Sequence, residues 1–159
     1  IKYAVLFDPK LFRLLEQKGL DFDREAVIAR CVEHKRNVVA GDEFDRGQRM
    51  LLNLGHTIGH AIEKCRNYGI SHGKAVAIGM AVVCRAAKCQ DADRIIALLE
   101  KFGLPTTTEV PTEKLWEAAL SDKKRSGDLV KLIVPNAIGD CRIVPTTVEE
   151  LKTLLEEGM

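Results

Sequence analysis

The sequence lacks several patterns that would assign it quickly to a class of protein. Its five cysteines form no Cys-x-x-Cys pair and are odd in number, which argues against a disulfide framework and a zinc ribbon. The formal net charge is only +1, so no overall field indicates nucleic acid or membrane as a partner. It shows no signal peptide and no apolar run long enough to cross a bilayer. We therefore expect a cytoplasmic globular domain.

A second absence concerns dinucleotides. The chain holds no Gly-rich turn between a strand and a helix, the pattern that cradles dinucleotide phosphates. Its 159 residues suit one domain with a sizeable core.

The apolar periodicity is helical almost throughout, which predicts a mainly α fold with a small β-hairpin near the C-terminus. Asp8 and Pro9 predict the start of one helix, and Asp23 the start of the next, followed by an irregular segment from Val38. Further helices are predicted over 48–65, 72–89, 91–102 and 112–120, and a last one from a capping box of Thr146 and Glu149. Residues 129–134 and 141–144 are predicted to form the hairpin at the surface.

Three of the four histidines fall within 17 residues. His56 and His60 lie one helical turn apart and would project from one face, while Gly55 and Gly59 would form an adjacent stripe that another backbone can approach closely. His72 begins the next apolar run, so a turn can bring it beside His56. Imidazole is a common ligand of zinc and related metals, so the pattern predicts a metal site unless these are structural core histidines.

Two polar residues precede the histidines. Asn53 and Arg49 lie three and seven positions before His56, hence on or near one helical face. Arg49 offers a planar fork suited to a carboxylate or a phosphate. Exposed arginines are usually solvated, so spacing alone gives Arg49 no special weight.

The stretch from Lys35 to Met80 closely resembles 3-dehydroquinate synthase, the family of shikimate-pathway cyclases that use NAD and zinc. The resemblance rests on Lys35, Asp42, Glu43, Arg49, Asn53, His56, His60 and His72 at fixed spacing. Weaker agreement continues through Asp122-Lys123-Lys124 and a final Val-Pro and Ile-Gly segment. It covers nearly the whole chain but only half of the family's protein.

The resemblance implies that His56 and His72 are ligands of zinc, with Co²⁺ as an alternative metal. The opening Ile-Lys-Tyr resembles the tail of a family segment, Glu-x-Ile-Lys-Tyr, whose glutamate is the remaining ligand. We therefore expect residues 1–159 to be a single carboxy-terminal domain, without that glutamate and without the amino-terminal domain that mainly binds NAD. The chain alone should bind metal weakly and be nearly inactive.

The resemblance also implies roles for residues around the metal. His60 stays off the metal and transfers protons on the substrate, as a neutral imidazole can near neutral pH. Lys2, Lys35, Arg49, Asn53 and one of Lys123 and Lys124 bind the anionic substrate together with His60. Lys35 and Asp45 join His60 in the catalytic set, although family members commonly have a glutamate at the position of Asp45.

The implied reaction converts 3-deoxy-arabino-heptulosonate 7-phosphate into 3-dehydroquinate with release of phosphate. The full-length protein is expected to be a homodimer in which the amino-terminal domain is the partner of this one. Three alternatives remain open from the sequence. They are a sister cyclase that makes an inosose or a valiolone, a metal-dependent alcohol dehydrogenase, and a non-enzymatic helical module.

Overall fold

The computed structural model describes residues 1–42, 47–121 and 129–159, which form a helical domain with one β-hairpin. The α-helices are α1 (Lys2–Phe7), α2 (Pro9–Lys18), α3 (Arg24–Gly41), α4 (His56–Cys65), α5 (His72–Ala86), α6 (Ala92–Lys101), α7 (Thr112–Ser121) and α8 (Val148–Gly158). The strands are β1 (Leu129–Ala137) and β2 (Asp140–Thr147), and a 3₁₀ helix spans Gln48–Asn53. The predicted class, mainly α with a small hairpin, is confirmed.

Helix α5 runs through the centre of the fold. Every residue from Ala75 to Cys84 is buried, and the helix contributes to two hydrophobic clusters. The first cluster joins α5 to α1, α2 and α6, and the second joins it to α4, α7, α8 and β1. Small side chains on α5 allow these close contacts.

The starts of α2 and α3 follow the predicted caps. The Asp8 carboxylate accepts a hydrogen bond from the Leu11 amide at 2.9 Å, and Asp23 accepts one from the Ala26 amide at 3.1 Å. Helix α3 is longer than predicted and continues through Val38 to Gly41. Val38 is buried, and this packing outweighs the small helix penalty of a β-branched residue. Helix α1 was not predicted.

The helix predicted from Gln48 to Cys65 is wrong, because the structure divides it at Gly55. A 3₁₀ helix ends at Asn53, and α4 begins at His56. Gly55 has a φ of 76°, the left-handed region that a continuous right-handed helix cannot contain. This break makes His56 the first residue of α4.

The hairpin is longer than predicted, and it does not lie only at the surface. Strands β1 and β2 pair antiparallel, with Leu132 opposite Val144 and Ile133 opposite Ile143. Leu132 and Ile133 are buried and belong to the hydrophobic clusters. The hairpin therefore covers one side of the helical core.

The capping box of the last helix lies one residue later than predicted. Thr147 and Glu150 exchange the two bonds, with the Glu150 amide donating to the Thr147 hydroxyl at 3.2 Å. Thr146 instead is buried, and its hydroxyl donates to the Val144 carbonyl oxygen. The register of β2 thus selects which threonine caps α8.

Two further observations concern the chain's chemistry and its environment. All five cysteines are free thiols, and Cys84 and Cys89 are buried. Among the described residues, no helix combines the length and the apolar character needed to cross a membrane.

Candidate metal and substrate site

Three histidine rings meet where α4 and α5 begin. His56 and His60 belong to α4, and His72 is the first residue of α5. The ring centroids are 5.6 Å apart for His56 and His60, 5.1 Å for His56 and His72, and 5.8 Å for His60 and His72. The structure therefore brings together the three histidines that the sequence singled out.

Glycines set the distance between these two helices. A Cβ on Gly59 would lie 3.2 Å from the Val76 backbone, and a Cβ on Gly55 would lie 2.6 Å from the Val76 carbonyl oxygen. A Cβ on Gly79 would overlap the Gly55 carbonyl oxygen. The predicted close approach at Gly55 and Gly59 is confirmed, and it brings the rings of His56 and His72 next to each other.

The local contacts of His56 leave one ring nitrogen for a metal. Its Nδ1 lies 3.0 Å from the Leu54 carbonyl oxygen and donates to it, so the lone pair is on Nε2. Burial lowers the pKa of His56, and the charges of Lys2, His72 and His60 lower it further, although the bond to Leu54 acts in the opposite direction. A neutral imidazole at neutral pH is the form that binds metal.

His72 is held in the same way by a carboxylate. Its Nδ1 lies 3.1 Å from Oε1 of Glu63, and the Glu63 side chain is 13% exposed against 55% for His72. This contact likewise leaves Nε2 of His72 for a metal. Two imidazole nitrogens oriented by backbone and carboxylate acceptors fit the donor chemistry of zinc.

Among the described residues, the ligand atoms that lie close enough together to share one metal ion belong to His60, Glu63 and His72 and do not include His56. One ligand atom each from His60, Glu63 and His72 lies within 4.8 Å of the others. The assignment of the metal to His56 and His72, with His60 off the metal, stays a prediction. Glu63 was not named from the sequence, although it lies seven residues after His56 and hence on the same helical face.

Two cavities flank His56. One has a volume of about 420 Å³ and a mostly apolar lining that includes Lys2, His56 and His72. The other has a volume of about 220 Å³ and is lined by Asn53, His56, Thr57, His60, Ala61, Ala118, Ala119 and Lys131. The second cavity has a mixed polar and apolar lining and places two of the predicted substrate residues, Asn53 and His60, on one surface.

Positive charge gathers on the other side of His56. The Lys2 ammonium donates to the Leu52 carbonyl oxygen at 2.7 Å. Burial lowers the pKa of Lys2, and the neighbouring charge of Lys35 lowers it further. An anion bound near Lys2 would offset both effects. Both lysines were predicted to bind substrate.

The remaining predicted residues are less completely placed. Arg49 is half-buried in the 3₁₀ helix, and its amide donates to the Asp42 carboxylate at 3.1 Å. Its side chain lines neither of the two cavities beside His56. Asp45, Lys123 and Lys124 lie outside the described residues, so their roles stay predictions.

Lys131 is a further residue that the sequence did not indicate. It lies on the exposed side of β1 and lines the same cavity as Asn53 and His60. No local pattern distinguishes Lys131 from other surface lysines, because its position depends on how the hairpin packs beside α4.

Comparison with solved structures defines the class of the fold. The chain is similar to 2-epi-5-epi-valiolone synthase from Streptomyces hygroscopicus subsp. jinggangensis, solved with NAD⁺ and Zn²⁺ bound, with a TM-score of 0.82 and 24% identity. The match covers 98% of this chain and 48% of that one. A 2-deoxy-scyllo-inosose synthase complexed with carbaglucose-6-phosphate, NAD⁺ and Co²⁺ gives a TM-score of 0.79 at 21% identity, covering 99% and 49% of the two chains. The fold is that of the sugar-phosphate cyclases.

Sequence comparison narrows the class to one family. Residues 1–125 match the 3-dehydroquinate synthase C-terminal domain. The chain is 42% identical to 3-dehydroquinate synthase of Pelobacter propionicus and 38% identical to that of Enterococcus faecalis, over 97% and 98% of its length. It belongs to the 3-dehydroquinate synthase family. It covers 47% of each of these two relatives, so it spans about half their length.

Proposed function

We propose that this chain is the metal- and substrate-binding part of a 3-dehydroquinate synthase. The observation that carries the proposal is the convergence of His56, His60 and His72 beside a cavity that Asn53 and Lys131 also line, in a chain that belongs to this family. The reaction would convert 3-deoxy-arabino-heptulosonate 7-phosphate into 3-dehydroquinate and phosphate. This is a carbon–oxygen lyase reaction of the shikimate pathway, which leads to the aromatic amino acids.

His56 and His72 would hold the metal through their Nε2 atoms. Zn²⁺, or Co²⁺ in its place, would supply Lewis-acid chemistry toward a substrate hydroxyl when bound. We place the third ligand, a glutamate, in the part of the family protein that this chain does not include. With two of three ligands, the chain should hold zinc weakly.

His60 would exchange protons with the substrate. Its ring is exposed on α4 and lines the same cavity as Asn53, so a substrate in that cavity could reach it. The unperturbed pKa of imidazole lies close to neutral, which suits a group that both takes and returns a proton. We place Asp45 and Lys35 in the same catalytic set on the strength of the family resemblance.

The basic residues would bind the substrate's phosphate and carboxylate. Burial and the charge of Lys35 lower the pKa of Lys2, and a bound anion would offset both effects. Lys131 would add a positive charge beside Asn53 and His60. Arg49 and one of Lys123 and Lys124 complete the predicted set. These positive charges would favour a doubly anionic substrate.

The rest of the family protein would complete the enzyme. We propose that NAD binds mainly to the half that this chain lacks, that the full-length protein is a cytoplasmic homodimer, and that its active site lies between the two halves. Clefts between domains are common places for active sites. Each half alone should then be nearly inactive.

The test is phosphate release by the full-length protein that contains this sequence, supplied with zinc and NAD. The substrates, assayed in parallel, are 3-deoxy-arabino-heptulosonate 7-phosphate, sedoheptulose 7-phosphate and glucose 6-phosphate. Turnover of the first alone is expected, with none by the 159-residue chain. Preference for a neutral-sugar phosphate would assign the protein to a sister cyclase, which the fold comparison favours as the second candidate. Absence of turnover on all three would contradict an enzymatic role.

A further inference from the structure

Glu63 is a nearly buried carboxylate whose polar partner is a histidine ring. Its side chain is 13% exposed, yet the salt bridges of the described residues include none between Glu63 and a lysine or arginine. Its carboxylate instead accepts from the His72 ring at 3.1 Å. Burying a carboxylate costs free energy unless it gains hydrogen bonds or a charge partner. The contact with His72 is the one that offsets this cost.

The fold holds Glu63 firmly in place for this contact. Glu63 lies in the last turns of α4, and its carbonyl oxygen accepts from the Tyr68 amide at 2.7 Å. Asn67 and Tyr68 both have positive φ, so the chain turns sharply there before α5. That turn returns the chain to His72 only nine residues after Glu63. The end of α4 and the turn after it therefore determine the positions of both Glu63 and His72.

His72 needs such a partner more than His56 does. Its side chain is 55% exposed, and among the described residues the ring packs on the rings of His56 and His60. His56 is more buried, and a backbone carbonyl orients it. A carboxylate that accepts from Nδ1 fixes the ring's rotation and keeps the hydrogen on Nδ1, which leaves the lone pair on Nε2.

We infer that Glu63 is a positioning residue that holds His72 in the orientation and tautomer required to bind metal, without being a ligand itself. The predicted effect on metal binding rests on the proposed function, in which His72 is a metal ligand. The contact between Glu63 and His72 is observed independently of that role. His60 lies beside both residues and would stay available to the substrate.

The direct test uses the metal-free 159-residue chain. Long-range ¹H–¹⁵N correlation spectra under mildly alkaline conditions report which ring nitrogen of His72 carries the hydrogen. We expect Nδ1–H in the wild type and a shift toward Nε2–H or a mixture in Glu63→Ala. An unchanged His72 tautomer in Glu63→Ala would overturn the inference. This readout needs neither metal nor turnover, so it can succeed or fail independently of the proposed function.

The second test measures zinc affinity by competition with a chromophoric chelator. Loss of an outer-shell partner of a histidine ligand typically weakens metal binding about 10–100-fold, and we expect this in Glu63→Ala. Glu63→Gln keeps an oxygen that can accept from Nδ1, so its affinity should lie closer to the wild type. Glu33→Ala is the matched control, because the exposed Glu33 side chain contacts only Arg36 among the ion pairs of the described residues. Wild-type affinity in Glu63→Ala would contradict the inference.

Absorption spectroscopy with bound Co²⁺ can distinguish a positioning residue from a metal ligand. The Co²⁺ absorption bands report the number and type of bound ligands. We expect Glu63→Gln to keep the wild-type band intensities at saturating Co²⁺. Loss of a ligand signature in Glu63→Gln would show direct coordination and overturn the positioning role. Thermal unfolding of each metal-free variant separates these effects from a loss of fold.

Discussion

Helices α5 and α3 carry parts of the same candidate site, yet they are held in opposite ways. In α5, which begins with His72, ten consecutive residues are buried. In the 18-residue helix α3, which carries Lys35, only Val38 is buried, and Ile28 and Val32 are 61% and 60% exposed. The position of His72 in the candidate site therefore depends on apolar packing inside this chain. The lysine on α3 depends on far fewer apolar contacts.

A polar contact connects α3 to the rest of the domain. The buried Asp8 carboxylate, which caps α2, also accepts from Arg30 and from His34, whose Nε2 lies 2.7 Å away. The Phe7 ring stacks on His34 with centroids 6.0 Å apart. Helix α3 is thus attached to the domain by charged contacts, whereas α5 is held by apolar packing. Each kind of contact can be tested separately.

The largest effect is expected from Gly79→Ala in α5. The added methyl group would overlap the Gly55 carbonyl oxygen and force α4 and α5 apart. We expect the free energy of unfolding to fall by about 3 kcal/mol or more, the upper range for overpacked cores. Chemical denaturation measures it. Zinc affinity should fall as well, because the same displacement separates His56 from His72.

Gly73→Ala is the matched control on the same helix. A Cβ at Gly73 meets nothing within 4 Å. Its stability should stay within about 1 kcal/mol of the wild type, with any change on the stabilising side. Equal losses in the two variants would contradict the role of the close backbone contact at Gly79, because alanine favours a helix over glycine at both positions.

An intermediate effect is expected from Asp8→Asn. Burial alone would raise the pKa of Asp8, but hydrogen bonds from Arg30, His34 and the Leu11 amide outweigh it and lower the pKa from 3.8 to about 2. This shift corresponds to about 2 kcal/mol of stability at neutral pH. Asparagine has nearly the same shape and can still cap α2, so the variant isolates the charge. Urea denaturation at neutral pH measures the loss.

The contribution of the Asp8 charge to the free energy of unfolding should depend on pH. Because folding lowers the pKa of Asp8, its stabilisation is complete above the unfolded value of 3.8 and is lost as the pH falls toward about 2. The difference between wild type and Asp8→Asn should shrink over that range. A constant difference would show that the charge of Asp8 does not anchor α3.

The smallest effect is expected from Ile28→Ala on α3. The Ile28 side chain is mostly exposed, so its removal should change stability by less than about 0.5 kcal/mol. Ile78→Ala on α5 is the matched comparison, since Ile78 is 2% exposed and should lose about 2–5 kcal/mol. Thermal and urea unfolding of the pair measure both. A large loss in Ile28→Ala would mean that α3 packs against an apolar surface after all.

Local sequence signals predicted the elements whose ends depend on adjacent residues. Asp8 and Asp23 cap their helices, and Gly103 ends α6 with a φ of 69°. These features depend on backbone geometry within a few residues, which the sequence shows directly. The class of the fold and the meeting of the histidines followed from the same periodicity.

The features that the sequence did not predict depend on contacts between distant segments. Gly55 breaks the predicted helix, and the chain there lies against Val76 of α5. Thr147 rather than Thr146 caps α8 because of the register of β2. Glu63 and Lys131 enter the site only when helix α5 and the hairpin are in place. Each of these requires tertiary structure that no local pattern contains.

The glycine contact between α4 and α5 also determines how the site can be altered. At these glycines the two histidine-bearing helices touch through backbone atoms, so a larger side chain there cannot adjust their spacing in small steps. Random mutagenesis at 55, 59 and 79 should therefore return glycine almost alone. Substitutions that aim to change the proposed metal or substrate preference are better placed in the cavity lining. Asn53 and Lys131 are such positions, because their side chains border the cavity.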